Sequence, residues 1–472
     1  MKSGLFRMTT IAVLISACAT AGSVKRSDLE KIKYPELQFK PPVTERVVLK
    51  NGMVLHLLEN HELPMVDIVS LVRVGEIFEP LDKRGLAAIT GGTWRSGGTE
   101  SMPPDILDEN LEFIAASIET SIDSKSGSIN MSVMKKDLDE GLRILAEIIR
   151  KPTFNEKRFE VAKNNMLEGI KRENDDPQEI STREFMRMLL PEHHYGNPVT
   201  VETVNGITRN DCVKFYRDYV GADSFIFGIT GDFDSKEIVA KFEKLFGDMG
   251  SAPRKLPAIP QFPEKIKPGN YVIDKKLPQS VIKMGHLGVG RNDPDYYPVR
   301  VMNYIVGGGG FSSRMVQDIR STRGLAYSVY SYYSGGNWDQ GVFIAGGETK
   351  AASAYELIEA SREIFREVIK NGVTDEELSM AKESIINSYV FDFDKDIEIV
   401  SNYINLEYFE LPKDYVEKFR ENIDMVTRGK ILEVASKYLH PDEMVILVVG
   451  DRSAMGGNIM KLGDVKEIKL KK

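Results

Sequence analysis

Hydrophobic and polar positions alternate along this chain in two rhythms, and both rhythms recur. In the first half, "VVLKNGMVLHLLEN" and "PMVDIVSLVRVG" read as strands joined by a turn. "SINMSVMKK" alternates with the period of two of a half-buried strand, and "FIFGITGDF" is an apolar run ending in a turn, as a buried strand does. "DLDEGLRILAEIIRK" instead spaces Leu138, Leu142, Leu145 and Ile149 along one helical face. Strands with short connections followed by helix pairs predict an α+β unit built on a mainly antiparallel sheet.

The unit occurs twice. "ITRNDCVKFYRDYVGADSFIFGITGD" (Ile207–Asp232) aligns without gaps against "VTRGKILEVASKYLHPDEMVILVVGD" (Val426–Asp451). Thr208 then meets Thr427, Tyr219 meets Tyr438, and Gly231-Asp232 meets Gly450-Asp451, all at an offset of 219. The same offset aligns "FNEKRFEVAK" (Phe154–Lys163) with "VTDEELSMAK" (Val373–Lys382). A constant offset tying helix to strand marks an internal duplication. The chain therefore reads as two tandem homologous domains, 41–249 and 270–468, each a mainly antiparallel sheet packed with helices. Between them, 250–269 carries five prolines and reads as an extended, semi-rigid connector. At 472 residues the chain is too long for one ordinary core, which agrees with this division.

Composition narrows the function classes. Hydrophobic content of 42% and charged content of 28% are those of a globular protein. A net charge of -8 with no basic stripe argues against a nucleic-acid partner. No stretch approaches the roughly 18 to 20 apolar residues of a membrane-spanning helix. Lys2, Arg7 and the apolar run Met8–Ile15 make the N-terminus a targeting segment. It ends in Ile15-Ser16-Ala17-Cys18, which resembles the lipobox of bacterial lipoproteins. On that reading 1–18 is a signal peptide, Cys18 carries the lipid and 19–40 is a polar tether. Ala19 after the cysteine points to the outer membrane, so the expected location is periplasmic, lipid-anchored, in a Gram-negative bacterium. An ordinary cleaved signal is the alternative. Cys212 is left without a disulfide partner and reads as a buried core thiol.

A scan for catalytic motifs is mostly negative. None of the six histidines lies in an H-E-x-x-H or H-x-x-E-H arrangement. Asp392, Asp394 and Asp396 alternate like the start of a calcium loop, but Ile397 stands at the glycine position and Tyr403 at the glutamate position, leaving a solvated helix edge. "VGGGGFSSRM" (Val306–Met315) is glycine-rich without the lysine of a phosphate-binding loop. No G-x-S-x-G elbow is present.

Several longer stretches carry a resemblance. "LKNGMVLHLLENHELPMVDIVSLVRVGEIFEPLDKRGLA", "IETSIDSKSGSINMSVMKKDLDEGLRILAEIIRKPTF" and above all "VMNYIVGGGGFSSRMVQDIRSTRGLAYSVYSYYSGG" are similar to the pitrilysin/insulinase-like zinc peptidases. The likeness runs from about Val43 to Lys461. It implies a metallopeptidase clamshell half, with H-x-x-E-H on the first-copy helix: two zinc ligands one turn apart and a glutamate as general base. Here that window reads Ala88-Ile89-Thr90-Gly91-Gly92, and Ala88, Gly91 and Gly92 stand at the three functional positions. The glycine pair is expected to interrupt the helix, since each costs about 1 kcal/mol relative to alanine. Glu160 sits near the third ligand's place, but one carboxylate does not hold zinc, and it reads as a helix-surface residue. No metal or other cofactor is expected in this chain.

The family's second-copy arginine and tyrosine, seven residues apart, match Arg320 and Tyr327, with Arg323 as the fallback. The resemblance implies that they complete the zinc site of a paralogous partner subunit that keeps H-x-x-E-H, in a heterodimer acting on unfolded peptides. It also implies substrate docking along Ser117, Ile118, Glu119 and Thr120, by main-chain hydrogen bonds at a sheet edge. Two alternatives remain at this point. One is a pseudo-peptidase scaffold or peptide-binding protein without hydrolysis. The other is a rebuilt metal site from His193, His194 and Glu192, although adjacent histidines are poor joint ligands.

Overall fold

The computed structural model describes residues 39–191, 193–253 and 255–470, so Cys18 and Glu192 lie outside the described residues. Two six-stranded sheets organise the chain. The first contains β1 (Glu45–Val48), β2 (Val54–Glu59), β3 (Met65–Val72), β4 (Ser117–Ile122), β5 (Gly127–Met134) and β6 (Phe225–Gly231), in the order β1-β2-β6-β3-β5-β4. The second contains β7 (Gly269–Asp274), β8 (Ser280–Leu287), β9 (Ala326–Tyr333), β10 (Val342–Thr349), β11 (Val445–Gly450) and β12 (Val465–Glu467), in the order β12-β7-β11-β8-β10-β9.

Five strands repeat between the sheets. β2-β6-β3-β5-β4 and β7-β11-β8-β10-β9 each begin with one parallel pair and continue with antiparallel pairs. The sixth strand differs in origin. β1 precedes β2 and pairs antiparallel, whereas β12 returns from the far end of the chain and runs parallel to β7. Each sheet is thus mixed, with antiparallel pairs in the majority.

The first lobe adds α1 (Leu86–Trp94), α2 (Pro104–Phe113), α3 (Leu138–Arg150), α4 (Glu156–Arg172), α5 (Pro177–Leu189), α6 (Val201–Asn205), α7 (Arg209–Tyr219) and α8 (Ser235–Phe246). The second adds α9 (Tyr296–Asn303), α10 (Ala354–Asn371), α11 (Asp375–Tyr389), α12 (Asp396–Tyr408), α13 (Tyr415–Asp424) and α14 (Arg428–Tyr438). The repeated threonines have a local cause. Thr208 and Thr427 each accept a hydrogen bond from the amide three residues on and so cap α7 and α14. Leu138, Leu142, Leu145 and Ile149 of α3 are all buried.

Strand β6 shows how the first sheet is covered. Phe225, Phe227 and Ile229 enter the lobe's own core, with Trp94 edge-on to Tyr216 at 5.0 Å and Phe227 against Phe242 at 5.3 Å. Cys212 lies in that core, and burial pushes its thiol up to about 11. The alternate residues of β6 face the other way, toward a helix of the second lobe.

That helix is α12, which packs across β6, β3 and β2. Its equivalent at the offset of 219 is α5, which packs across β11 and β8 of the second sheet. The two copies have therefore exchanged equivalent helices. Glycine makes room in each sheet: a Cβ at Gly228 would stand 2.9 Å from Val400 Cβ, and one at Gly285 would meet Phe185 Cζ at 3.1 Å. Ile180, Phe185 and Leu189 of α5 share a core with Val281, Ile344, Val445 and Leu447. Polar contacts fix the ends of both helices. Tyr408 Oη donates to Lys125 O at 2.8 Å, Asn60 Nδ2 to Asp396 Oδ2 at 2.5 Å, and Gln178 Nε2 to Glu348 Oε1 at 2.5 Å.

None of the described residues of 250–268 is in a helix or strand. This segment is held against the first lobe, where His193 Nε2 meets Pro260 O at 3.0 Å and Phe262 lies edge-on to the His193 ring at 4.8 Å.

Glu407 on α12 closes the exchange with a two-pronged ion pair, accepting from Arg46 Nε and Nη2 at 2.6 Å each, with His56 Nε2 3.5 Å away. Hydrogen bonds from Arg46, with the His56 ring beside them, hold this carboxyl well below its ordinary value of 4.5. A depressed carboxyl stabilises the fold above the unfolded pKa, and that contribution is lost as pH falls through the folded one. Stability measured by denaturant between pH 7 and 3 should fall in the wild type by up to about 1 kcal/mol more than in Glu407→Gln. Parallel curves for the two proteins would remove this ion pair from the account of acid lability.

Candidate functional site

Helix α1 carries the window in which the zinc motif is expected. It runs unbroken from Leu86 to Trp94 through both glycines, so the expected interruption does not occur. The reason is contact, not propensity. A Cβ at Gly91 would stand 2.2 Å from the backbone N of Ile122 and 2.6 Å from the backbone C of Ser121. The helix lies directly on β4, and only glycine permits that approach. Gly92 is exposed, with nothing within 4 Å of where its Cβ would be. Ala88 is half-buried.

Thr120 locks helix to strand. Its Oγ1 donates to Gly91 O at 2.8 Å and accepts from Arg95 N at 3.1 Å. Of the four docking residues expected on β4, Ser117 and Glu119 are exposed, Ile118 is buried, and Thr120 is half-buried with its side chain committed to α1. β4 is the last strand of its sheet and pairs with β5.

The start of α1 is organised by a carboxylate that no motif reveals. Glu79 is buried, and its two oxygens accept from Arg84 Nη1 at 2.8 Å, Gly85 N at 3.0 Å and Ala87 N at 2.8 Å. It thereby satisfies amides that a helix start leaves without partners. Burial pushes this carboxyl up to about 7, against the pull of those amides and of Arg84. Its distance in sequence from the helix it caps hides this role.

The residues present do not fit zinc. Ala88, Gly91 and Gly92 offer no side-chain donor, and among the described residues no group of three His, Cys, Asp or Glu side chains is placed to hold a metal ion. Glu160 is exposed on α4, whereas Ala162, Met166 and Ile170 of that helix pack on the lobe's core. His193 Nδ1 accepts from Tyr195 N at 3.2 Å and His194 Nε2 meets Glu79 O at 3.2 Å, so both rings serve local structure.

In the second lobe the chain does bring two expected residues together. Arg320 lies on a π-helical segment (Val316–Thr322), a wide-turn geometry frequent at functional sites, and Tyr327 follows on β9, the last strand of its sheet. The Arg320 guanidinium carbon sits 4.5 Å from the Tyr327 ring centroid and 4.8 Å from that of Phe311. Both rings are largely exposed, 77% and 74%. Phe311 escapes sequence reasoning because the glycine loop that presents it is read for phosphate chemistry. Its signal was an apolar residue in that loop.

Arg323 behaves differently. It pairs with Asp318 at 2.9 Å and Glu363 at 2.8 Å, which commits it to structure. Among the described residues Arg320 makes no side-chain hydrogen bond or ion pair, and its guanidinium lies against two aromatic faces. No hydrogen bond, ion pair or ring contact among the described residues joins this stack to α1 or β4.

Comparison with known proteins agrees with these features. Residues 56–202 match the insulinase (peptidase family M16) family and residues 206–385 the peptidase M16 inactive domain, together more than half of the chain. An uncharacterized zinc protease of Streptomyces coelicolor is 27% identical over 321 residues, covering 62% of this chain and 70% of that protein. A non-peptidase homolog of Helicobacter pylori is 22% identical over 401 residues, covering 84% and 91%. The crystal structure of a peptidase M16 inactive domain from Pseudomonas fluorescens shares the fold with a TM-score of 0.78, at 24% identity over 86% of this chain and 98% of that one.

The two glycines make opposite predictions. Gly92→Ala should raise stability by about 0.5 to 1 kcal/mol, because alanine is the better helix former and meets nothing. Gly91→Ala should lower it by about 1 to 3 kcal/mol, because its methyl group collides with the backbone of β4. Denaturant melts of the two variants decide this, and equal effects would show that α1 does not rest on the strand.

Proposed function

The chain belongs to the insulinase (M16) peptidase family as a member without the zinc motif, and we propose that it is the non-catalytic, substrate-binding subunit of a two-subunit zinc metallopeptidase. It holds an unfolded peptide and supplies Arg320 and Tyr327 to the zinc site of a partner of similar length that carries H-x-x-E-H. The observation that carries this reading is a contrast between two places. α1 has no metal donors and no space for a side chain at Gly91, while the half-buried Arg320 lies against the exposed Tyr327 ring and has no ion pair among the described residues.

The chemistry suits such a division. Zinc in the partner would activate the attacking water. The Tyr327 hydroxyl can donate to the oxyanion that develops on the scissile carbonyl, and Arg320 can hold a neighbouring peptide carbonyl. Ser117 to Thr120 would align the peptide through main-chain hydrogen bonds, giving low sequence specificity. A lipid on Cys18 would keep the assembly at the periplasmic face of the outer membrane.

The test is peptide hydrolysis by this protein purified from its native envelope with whatever accompanies it. Zinc-dependent hydrolysis is expected, falling about 10² to 10³-fold in Tyr327→Phe while the partner still co-purifies. Arg320→Gln should also lower activity without loss of the partner. If no hydrolysis accompanies the protein, or neither variant changes it, the shared-site reading fails and a peptide-holding scaffold replaces it.

A further inference from the structure

A cavity of about 310 Å³ lies in the second lobe among α9, α12, α13 and the turn that ends α11, apart from both places described above. It is lined by two arginines, Arg291 and Arg300. Among the described residues neither guanidinium has an ion-pair partner. Each instead lies over an aromatic ring, Arg291 at 5.3 Å from the Tyr415 centroid and Arg300 at 4.8 Å from that of Phe419. Arg291 Nη2 donates to Tyr415 Oη at 3.0 Å and Nη1 to Asn337 Oδ1 at 3.4 Å, while Nε is buried with no hydrogen-bond partner. The Asp392 carboxylate on the same wall acts on Arg300 without forming an ion pair, so two guanidiniums face one carboxylate, and the buried unmatched donor of Arg291 is unfavourable unless an anion completes it.

The remaining lining adds acceptors, not further cations. Asn402 and Asn405 spend their amide nitrogens on Asp392 O and Ser401 O, at 2.7 Å each. Their carboxamide oxygens are the groups left for a ligand, and the exposed Asp392 stands on the same wall. A ligand that satisfies both sets has a carboxylate for the guanidiniums and an N–H or ammonium group for the oxygens. The aromatic walls suit an apolar side chain between them. At the lower end of the roughly 300 to 1,000 Å³ of ligand pockets, the volume suits one residue and not an extended peptide.

The geometry points to a binding site for an α-carboxylate with its adjacent nitrogen, carried by a free amino acid or by the C-terminal residue of a peptide. This does not depend on the shared-site reading, because neither Arg320 nor the sheet edge takes part.

The experiment is calorimetric titration of the full protein with L-phenylalanine and with L-phenylalaninamide. Saturable binding of the acid is expected, at least tenfold tighter than that of the amide, which lacks the carboxylate. Arg300→Gln should weaken binding of the acid at least tenfold while the melting transition persists. Arg291→Gln should do the same, and if it fails to fold, the Arg300 variant still decides. A tetrapeptide ending in phenylalanine, with free or amidated C-terminus, separates the two sources. Binding of its free form assigns a peptide end, and exclusion of it assigns the free amino acid. No binding of L-phenylalanine or of the free-acid tetrapeptide, equal binding of acid and amide, or binding unchanged in Arg300→Gln would overturn the site.

Discussion

A β-sheet buried on both faces must find cover for each, and in this molecule each sheet takes its second cover from the other lobe. α5 lies on β8 and β11, α12 lies on β6 and β3, and the two helices are the same element of the duplicated unit. The fit depends on two missing side chains, at Gly228 under Val400 and at Gly285 beside Phe185. A methyl group at Gly228 would press on Val400 of the crossing helix, and one at Gly285 would collide first with Phe343 O of the neighbouring strand and then crowd Phe185. Because the exchange is reciprocal, loosening one helix exposes apolar surface in both lobes.

Loss of the zinc motif has structural company. Where a metal site needs a helix standing clear of its neighbour with side chains projecting, α1 rests on β4 through Gly91, and Thr120 ties the two backbones together. The buried Glu79 then closes the helix start. The second lobe repeats the device without a metal motif: a Cβ at Gly307 would meet Ser331 Oγ at 2.5 Å and Ser331 N at 2.6 Å on the edge strand β9. A glycine between a helix and the outermost strand belongs to the unit itself, in the first lobe as in the second.

Much of this was legible in the sequence. The offset that pairs Thr208 with Thr427 reappears as matching helix caps, and the apolar run in 225–231 reappears as the buried strand β6, covered on both faces. The reading of Cys212 as a core thiol followed from its having no disulfide partner, and the residue is fully buried. The helix exchange was not legible, because periodicity says that a helix has an apolar face and not which sheet will meet it. Gly91 was misread for a related reason. Propensity prices a glycine against the helix it sits in, while this one answers to a strand thirty residues away. Arg320 and Arg323 could not be separated by spacing alone. Their difference lies in Asp318 and Glu363, which claim one and leave the other.

The exchanged helices also impose an order on biosynthesis. Synthesis is vectorial, and domains generally fold as units with the N-terminal one first. Here α5 leaves the ribosome before any strand of the sheet it will cover, and β6 is complete long before α12 exists. For that interval the first half carries an uncovered sheet face and an apolar helix with nothing to lie on, the kind of surface that recruits holding chaperones.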